Sequence, residues 1–426
     1  MVLVPDAYKP PLITDLNVRR NAGVDADDTI TESILRVCVN DVNREITEID
    51  TPMPAINVQK GSKVRYAVVG GGDISQRAFM PGVAQTTNSE MTVLVTGDPE
   101  KADKLAKMYN LKSYSYDDFP KLLKEGGFDA VYVATPNWLH RKFAEPALEA
   151  GYHVLLEKPM EVTEEDCIAI NNASKKSGAK LMVAYRLHCE PGTVEAFNRV
   201  RQGELGDPRI FTSTFSQPLK ENNHRAKNGF DAGPIPDMGT YQINAVRNLF
   251  GMEPLEVSAK GFKTPGRDLD HDDVVTVSMK FPGERVANFL TSYSGAAVNQ
   301  YLVLGTRGEL EAKPSFSWSA GKAISYKTKI EGEEKTHNFP EVDHFAGETD
   351  YFSQCIIDGV DPEPDGDEGV RDVRVILAIK KSIETGETVK LEPLESRKHA
   401  VAVQVRQFKK GKQPDEMINC EPPAAK

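Results

Sequence analysis

Residues 64–69, Val-Arg-Tyr-Ala-Val-Val, run directly into Gly70, Gly71 and Gly72. An apolar strand that ends in glycines is how a buried parallel strand meets the N-terminus of the next helix. Backbone N–H groups at such a terminus have no partner within the helix, and the missing Cβ lets a pyrophosphate approach. Gly70 and Gly72 stand where the first two glycines of a dinucleotide turn belong, with Asp73 and Ile74 beside them. Ser75 stands where a third Gly or Ala is usual, so a plain glycine turn stays open as the other reading.

The chain beyond this turn alternates in a regular way. Apolar runs at 91–96, 130–134, 153–156 and 181–184 read as strands, with helical patterns at 99–108, 142–149 and 164–176 between them. Strand and helix at this pace imply βαβ units and a parallel sheet. From about residue 210 to 330 the pattern changes to short β-branched runs, at 274–279, 285–292 and 301–304, separated by Gly and Pro. These predict antiparallel strands with one covered and one wetter face. A helix is expected over 370–384, before Gly386. The fold class is α/β: a Rossmann dinucleotide-binding domain over 63–186, then an α+β domain with a large, mostly antiparallel sheet over 187–395. Residues 396–426 form a tail with one alternating run at 401–405. Residues 1–62 read either as a poorly ordered tail or as an arm, in which the apolar run at 34–39 packs on the body or on a second subunit.

Charge and cysteine content narrow the function classes. The 426 residues carry 52 Lys+Arg against 63 Asp+Glu, a net charge of -11. Nucleic acid and anionic membrane both reward clustered cations, so neither is expected as a partner. Five scattered cysteines (Cys38, Cys167, Cys189, Cys355 and Cys420) offer neither a disulfide framework nor zinc-ligand spacing. His271-Asp272-Asp273 precedes a strand-like run and reads as its cap, so no metal is expected. No basic start leads into an apolar core, and no apolar run nears the roughly 20 residues that span a bilayer. A cytoplasmic protein is expected, or a periplasmic one if a leader preceded this numbering.

Further motifs sit at strand ends. Val95-Thr96-Gly97-Asp98-Pro99-Glu100-Lys101 closes the second strand. An enzyme that prefers NAD places a carboxylate there for the ribose 2′-OH. Thr96 is neutral, Gly97 offers an N–H, and Lys101 and Lys104 follow, which suits a 2′-phosphate and favours NADP. The alternative is that Asp98 turns in as the acid. Thr135-Pro136-Asn137-Trp138-Leu139-His140 ends the next buried strand, as a crevice wall or as a structural turn. Glu157-Lys158-Pro159 follows the strand at 153–156. Pro159 restricts Lys158 to extended backbone and so aims the ammonium, which can stabilise a developing alkoxide. A surface ion pair is the plainer reading.

In this order the motifs resemble the glucose–fructose oxidoreductase and inositol dehydrogenase (Gfo/Idh/MocA) family of NAD(P)-dependent oxidoreductases, over about residues 63–390. "FDAVYVATPNWLH", "LMVAYRLHCEP" and "DMGTYQIN" look like segments of its glucose–fructose oxidoreductase type. The resemblance implies that Asp237 and Tyr241 join Lys158 as catalytic residues, and spacing of four puts both on one helical face. A glycine run usual before the Asp is reduced here to Ala232-Gly233-Pro234-Ile235-Pro236. It implies a sugar or polyol substrate, NADP as cofactor, an arm over a nucleotide that stays bound, and a homodimer or homotetramer. Cofactor contacts are expected from Gly70, Gly72, Asp73, Ile74, Ser75, Thr96, Gly97, Lys101, Thr135, Asn137, His140, Glu157, Lys158 and Arg186. Tyr185, Asn137 and Asp237 are expected on the substrate. Tyr241 would be the acid/base, with Lys158 lowering its pKa and holding the oxygen. A dinucleotide-binding regulator without turnover and an ordinary NAD-dependent sugar dehydrogenase are the competing functions.

Overall fold

The computed structural model describes residues 53–318, 321–397, 399–414 and 416–420. The apolar run at 34–39 and most of the expected arm lie outside these residues. The end of the expected arm is held by backbone bonds: Ala55 N donates to Ser177 O at 3.2 Å and Ile56 N to Gly151 O at 2.9 Å.

Strands β1 (Val64–Val69), β2 (Ser89–Val95), β3 (Lys112–Tyr114), β4 (Ala130–Val133), β5 (His153–Leu156) and β6 (Leu181–Val183) form one sheet, in the order β3-β2-β1-β4-β5-β6. All its pairs are parallel. Every residue of β4 and β5 is buried, because both faces are covered. Alternate residues of β4 feed different cores. Val131 and Val133 pack with Val69 and Leu156, while Ala130 and Tyr132 pack with Phe79 and Leu155. A π-helical turn, Ser75–Phe79, leads into α1 (Met80–Val83). Then come α2 (Pro99–Tyr109), α3 (Phe119–Glu125), α4 (His140–Glu149) and α5 (Glu164–Ser177). Local chemistry sets their ends. The Asp98 side chain caps α2 ahead of Pro99, and Thr163 caps α5, which stops at Gly178 with φ +77°. The strand order reverses between β1 and β4, so the loops after these two strands diverge and leave a crevice.

The second sheet contains β7 (Pro208–Ser216), β8 (Glu256–Phe262), β9 (Val274–Phe281), β10 (Arg285–Ser292), β11 (Val298–Gly305), β12 (Gly308–Ala312), β13 (Ser325–Ile330), β14 (Glu333–Asn338) and β15 (Val389–Lys390). Its order is β14-β13-β12-β11-β7-β10-β9-β8-β15, and β7 with β10 is its parallel pair. Helices α6 (Pro191–Arg201) and α7 (Thr240–Phe250) supply the covered face, where Phe197, Val246 and Leu249 meet Phe211, Val277 and Phe289. The opposite face carries Thr212, Thr214, Ser278, Asn288, Leu290 and Leu302 around a shallow concavity of about 580 Å³.

Two later helices return to the first sheet. α8 (His344–Asp358) contributes Tyr351, Phe352, Cys355 and Ile356 to the core around Tyr66 and Val68, and Tyr66 Oη lies 2.7 Å from Ser353 Oγ. α9 (Gly366–Thr385) packs Val373 into the core below β4 and Ile379 into that of the second sheet. The sequence places this segment in the second domain. An amphipathic pattern reveals an apolar face but not which sheet will cover it. The alternating run at 401–405 is not a strand but a 3₁₀ turn, Ala402–Gln404. Val401 and Val403 are exposed, and the buried residue is Gln404, whose amide donates to Glu363 Oε2 at 3.0 Å. Among the described residues no helix is long and apolar enough to cross a membrane.

Candidate active site

One cleft of about 540 Å³ lies at the carboxyl ends of the parallel strands and reaches across to α7. It is lined by Gly70, Gly72, Asp73, Ile74, Thr96, Lys101, Thr135, Asn137, Glu157, Lys158, Arg186, Asp237 and Tyr241. The fold thus gathers most of the predicted residues from six separate loops and helices.

At the nucleotide end, Gly70 has φ +103°, and a Cβ there would stand 2.6 Å from Ala134 O. Only glycine fits both demands. Gly72 has no atom within 4 Å of where a Cβ would stand, so the turn is open to a ligand. Thr135 is buried at 8% exposure, and its hydroxyl has no partner among the described residues. Such a hydroxyl carries a desolvation cost of about 1–3 kcal/mol unless a ligand oxygen meets it. Thr96 is neutral, and Asp98 accepts Glu100 N and Lys101 N as the cap of α2, so this carboxylate is committed to the helix. An open glycine turn, an orphan hydroxyl and a neutral strand end backed by Lys101 fit a dinucleotide.

At the other end the groups are tightly tied. Lys158 Nζ donates to Asp237 O at 2.7 Å and stands 3.8 Å from Asp237 Oδ1. The ammonium lies 4.7 Å from the Tyr241 ring centroid, over its face rather than on its hydroxyl. The phenol oxygen instead accepts from Arg186 Nε at 3.2 Å. This corrects the expectation that Lys158 holds that oxygen; the Asp237 carbonyl and the ring face draw the ammonium away. Arg186 is itself fixed, its Nη2 donating to Phe316 O at 2.7 Å and its Nη1 to His344 Nδ1 at 2.8 Å. Burial and the neighbouring guanidinium hold His344 well below the usual histidine range, so it accepts as a neutral ring.

Asp237 Oδ2 accepts from Tyr293 Oη at 3.0 Å and faces Arg225 Nε at 3.4 Å. Burial pushes the Asp237 carboxyl up, but Arg225, Lys158 and the tyrosine hydroxyl outweigh it and hold the group below the usual carboxylate range. Glu157 behaves oppositely: burial raises it, though Tyr132 Oη donates to its Oε1 at 2.7 Å. The two carboxyls therefore differ in charge tendency: at Asp237 the cations outweigh burial, and at Glu157 burial outweighs Lys158, Arg186 and the Tyr132 hydrogen bond.

Five predicted residues lie outside the cleft lining. Ser75 is fully buried, with its hydroxyl donating to Gly70 O, and so braces the turn from behind. Gly97 packs under the Tyr116 ring. His140 is fully buried, its ring nitrogens each 3.1 Å from Met160 O and Thr135 O, and burial pushes it down to about 4. It ties the 135 loop to the loop after Lys158. Tyr185 points into a small internal cavity behind Tyr241 and stacks on His188 at 5.4 Å, because the chain direction at the end of β6 turns Arg186 and not Tyr185 into the cleft. Lys104 is occupied by Glu100 at 2.6 Å. Sequence reasoning missed Arg225, Tyr293, Phe316 and Trp318, which come from irregular segments with no motif spacing to mark them.

Residues 64–185 match the family model described as "Oxidoreductase family, NAD-binding Rossmann fold", and residues 193–311 match "GFO/IDH/MocA C-terminal domain". A D-xylose 1-dehydrogenase [NADP(+)] of Haloarcula marismortui is 29% identical over 77% of this chain and 93% of its own length. The crystal structure of an aldose-aldose oxidoreductase from Caulobacter crescentus, complexed with glycerol, is 34% identical and superposes with a TM-score of 0.72 over 77% of this chain and 100% of that one. A 3-ketoreductase from Actinomadura kijaniata in complex with NADP and TDP-benzene shares the fold, with a TM-score of 0.69 at 23% identity over 75% of this chain and 98% of that one.

Proposed function

The chain belongs to the GFO/IDH/MocA family of NAD(P)-dependent oxidoreductases, and from that premise we propose that it transfers a hydride between NADP and a carbon of a sugar or polyol. The observation that carries this reading is the single cleft that starts on the Gly70–Gly72 turn and ends among Lys158, Arg186, Asp237 and Tyr241. When bound, the nicotinamide supplies the hydride acceptor or donor.

The chain's own residues handle the oxygen and its proton. A guanidinium has no acceptor, so Arg186 can only donate to the Tyr241 oxygen, and the phenol hydrogen stays free for a substrate oxygen. Tyr241 is the acid/base on that ground. Lys158 spends one of its three N–H bonds on the Asp237 carbonyl, leaving others for the same substrate oxygen as negative charge develops on it. Asp237, kept ionised by Arg225 and Lys158, accepts a sugar hydroxyl, and Asn137 lies on the same wall. The NADP preference rests on Thr96, on the engagement of Asp98 as a cap and on Lys101; the NADP named for the xylose dehydrogenase agrees with it. Sugar chemistry is supported by the xylose and aldose activities named for the relatives. A homodimer or homotetramer, built on the open face of the second sheet, completes the reading.

Replacing Lys158 tests it. Lys158→Ala is expected to lower kcat across a sugar panel by about 10²–10³-fold, the scale of losing one preorganised donor. NADPH, followed by its fluorescence, still binds. Full turnover in this variant would remove Lys158 from the mechanism. Nucleotide released on denaturing the purified protein tests retention: NADP(H) in a one-to-one ratio supports a cofactor that stays bound during turnover, and empty protein supports an ordinary dehydrogenase.

A further inference from the structure

The tail beyond residue 405 runs back across the first domain to its nucleotide end. Arg406 Nε donates to Asp350 Oδ2 at 2.8 Å on α8, and Gly411 N donates to Asp343 Oδ2 at 3.0 Å. Further on, the tail reaches Gln76, which follows the glycine turn and is 1% exposed. The Gln76 amide pairs with both backbone groups of Ile418: Oε1 accepts Ile418 N at 2.8 Å, and Nε2 donates to Ile418 O at 2.9 Å. The same Nε2 donates to Gly71 O at 2.8 Å. One side chain thus clamps the tail to the turn. Asn419 has φ +48°, a left-handed conformation that asparagine tolerates. Its Nδ2 donates to Asp98 Oδ2 at 2.9 Å and to Glu100 Oε2 at 3.1 Å.

We propose that the C-terminal tail, through Asn419, is a determinant of the preference for NADP over NAD. Asp98 sits between Thr96 and Lys101, the two residues of this loop that line the cleft. Its Oδ1 is spent on the cap of α2, and Asn419 takes the other oxygen. A carboxylate released at this strand end would accept a ribose 2′-OH and repel a 2′-phosphate. Asn419 holds that oxygen toward the tail and so denies it to the ribose 2′-OH, while its second hydrogen bond holds Glu100 in the same way; both carboxylates keep their charge but stand outside the cleft lining. The tail, far away in sequence, therefore fixes a carboxylate beside the pocket that the second strand begins. The inference rests on the NADP reading of Thr96 and Lys101.

The test is competition on the full-length protein. The protein is first freed of any carried nucleotide and then dialysed to equilibrium against equal concentrations of NADPH and NADH, and the nucleotides bound in excess of the free solution are counted after denaturation. Asn419→Ala is expected to lower the NADPH:NADH ratio about fivefold, the size of one solvent-exposed charge contact. Asn419→Asp, which adds a third carboxylate, lowers it further, and truncation after Gln413 falls at least as far as Asn419→Ala. Lys101→Ala is the control for the underlying reading. A ratio unchanged by Lys101→Ala overturns the NADP assignment of this loop. A ratio lowered by Lys101→Ala but unchanged by both Asn419 variants overturns the tail's role alone, as does an equal loss of both nucleotides in those variants.

Discussion

Single residues of this chain show how burial and partners decide chemistry that residue type leaves open. Gly70 is the plainest case, since its positive φ and the nearby Ala134 carbonyl exclude any Cβ. Gly70→Ala is expected to cost about 1–3 kcal/mol of stability from the strained backbone, and to weaken NADPH binding, measured by denaturant melts and fluorescence titration. His188 is a second case. Its Nδ1 lies 2.7 Å from Glu363 Oε2 and its Nε2 lies 2.7 Å from Asn244 Oδ1. The Asn244 amide is oriented by its own donation to Glu368 and Asp372, so both ring nitrogens face acceptors. Burial pulls the imidazolium down, but Glu363 outweighs it and the pKa is raised above 6.5. The folded-state value stands above the unfolded one. Its contribution is therefore complete below about pH 6.5 and is lost as pH rises through the folded-state pKa. His188→Gln is expected to destabilise the protein by about 2 kcal/mol near pH 6. The gap from wild type should close as melts are repeated at rising pH; a gap that widens would contradict this.

Elements are joined by buried charge as much as by apolar surface. Arg247 on α7 is 1% exposed and pairs with Glu253, with Glu368 at 3.0 Å and with Asp372, the last two on α9. Burial alone would push Glu368 up, but Arg247 and Arg397 hold it down to about 2. This cluster fastens the helix that carries Tyr241 at its start to the helix that bridges both sheets. Arg247→Leu leaves Asp372 buried without its cation and takes from Glu253 and Glu368 one of two each, and is expected to cost about 3–5 kcal/mol, read from denaturant midpoints. Sequence patterning could not foresee this junction, because Arg247, Glu368 and Asp372 each look like ordinary helix-surface charges until the helices are packed. By contrast, α2 and α5 were legible residue by residue, since Asp98-Pro99 and Thr163 with Gly178 terminate them through local bonds.

At the scale of the whole molecule, the second sheet presents one face without cover among the described residues, with Leu290 and Leu302 set among threonines, serines and Asn288. If this face joins copies, Leu290→Arg places a charge at its centre and is expected to shift the assembly to monomers in analytical ultracentrifugation. An unchanged assembly would move the interface elsewhere. The sequence alone determined the parallel sheet and the glycine turn, because strand burial and glycine geometry are local properties, whereas Asp237 and Tyr241 were legible only through the family resemblance. Tertiary structure alone decided that Arg186 holds the Tyr241 oxygen, that Tyr185 and His140 stand behind the cleft, and that α8 and the tail return to the first sheet. Those outcomes depend on which buried polar groups find partners across hundreds of residues, and no local pattern encodes that choice.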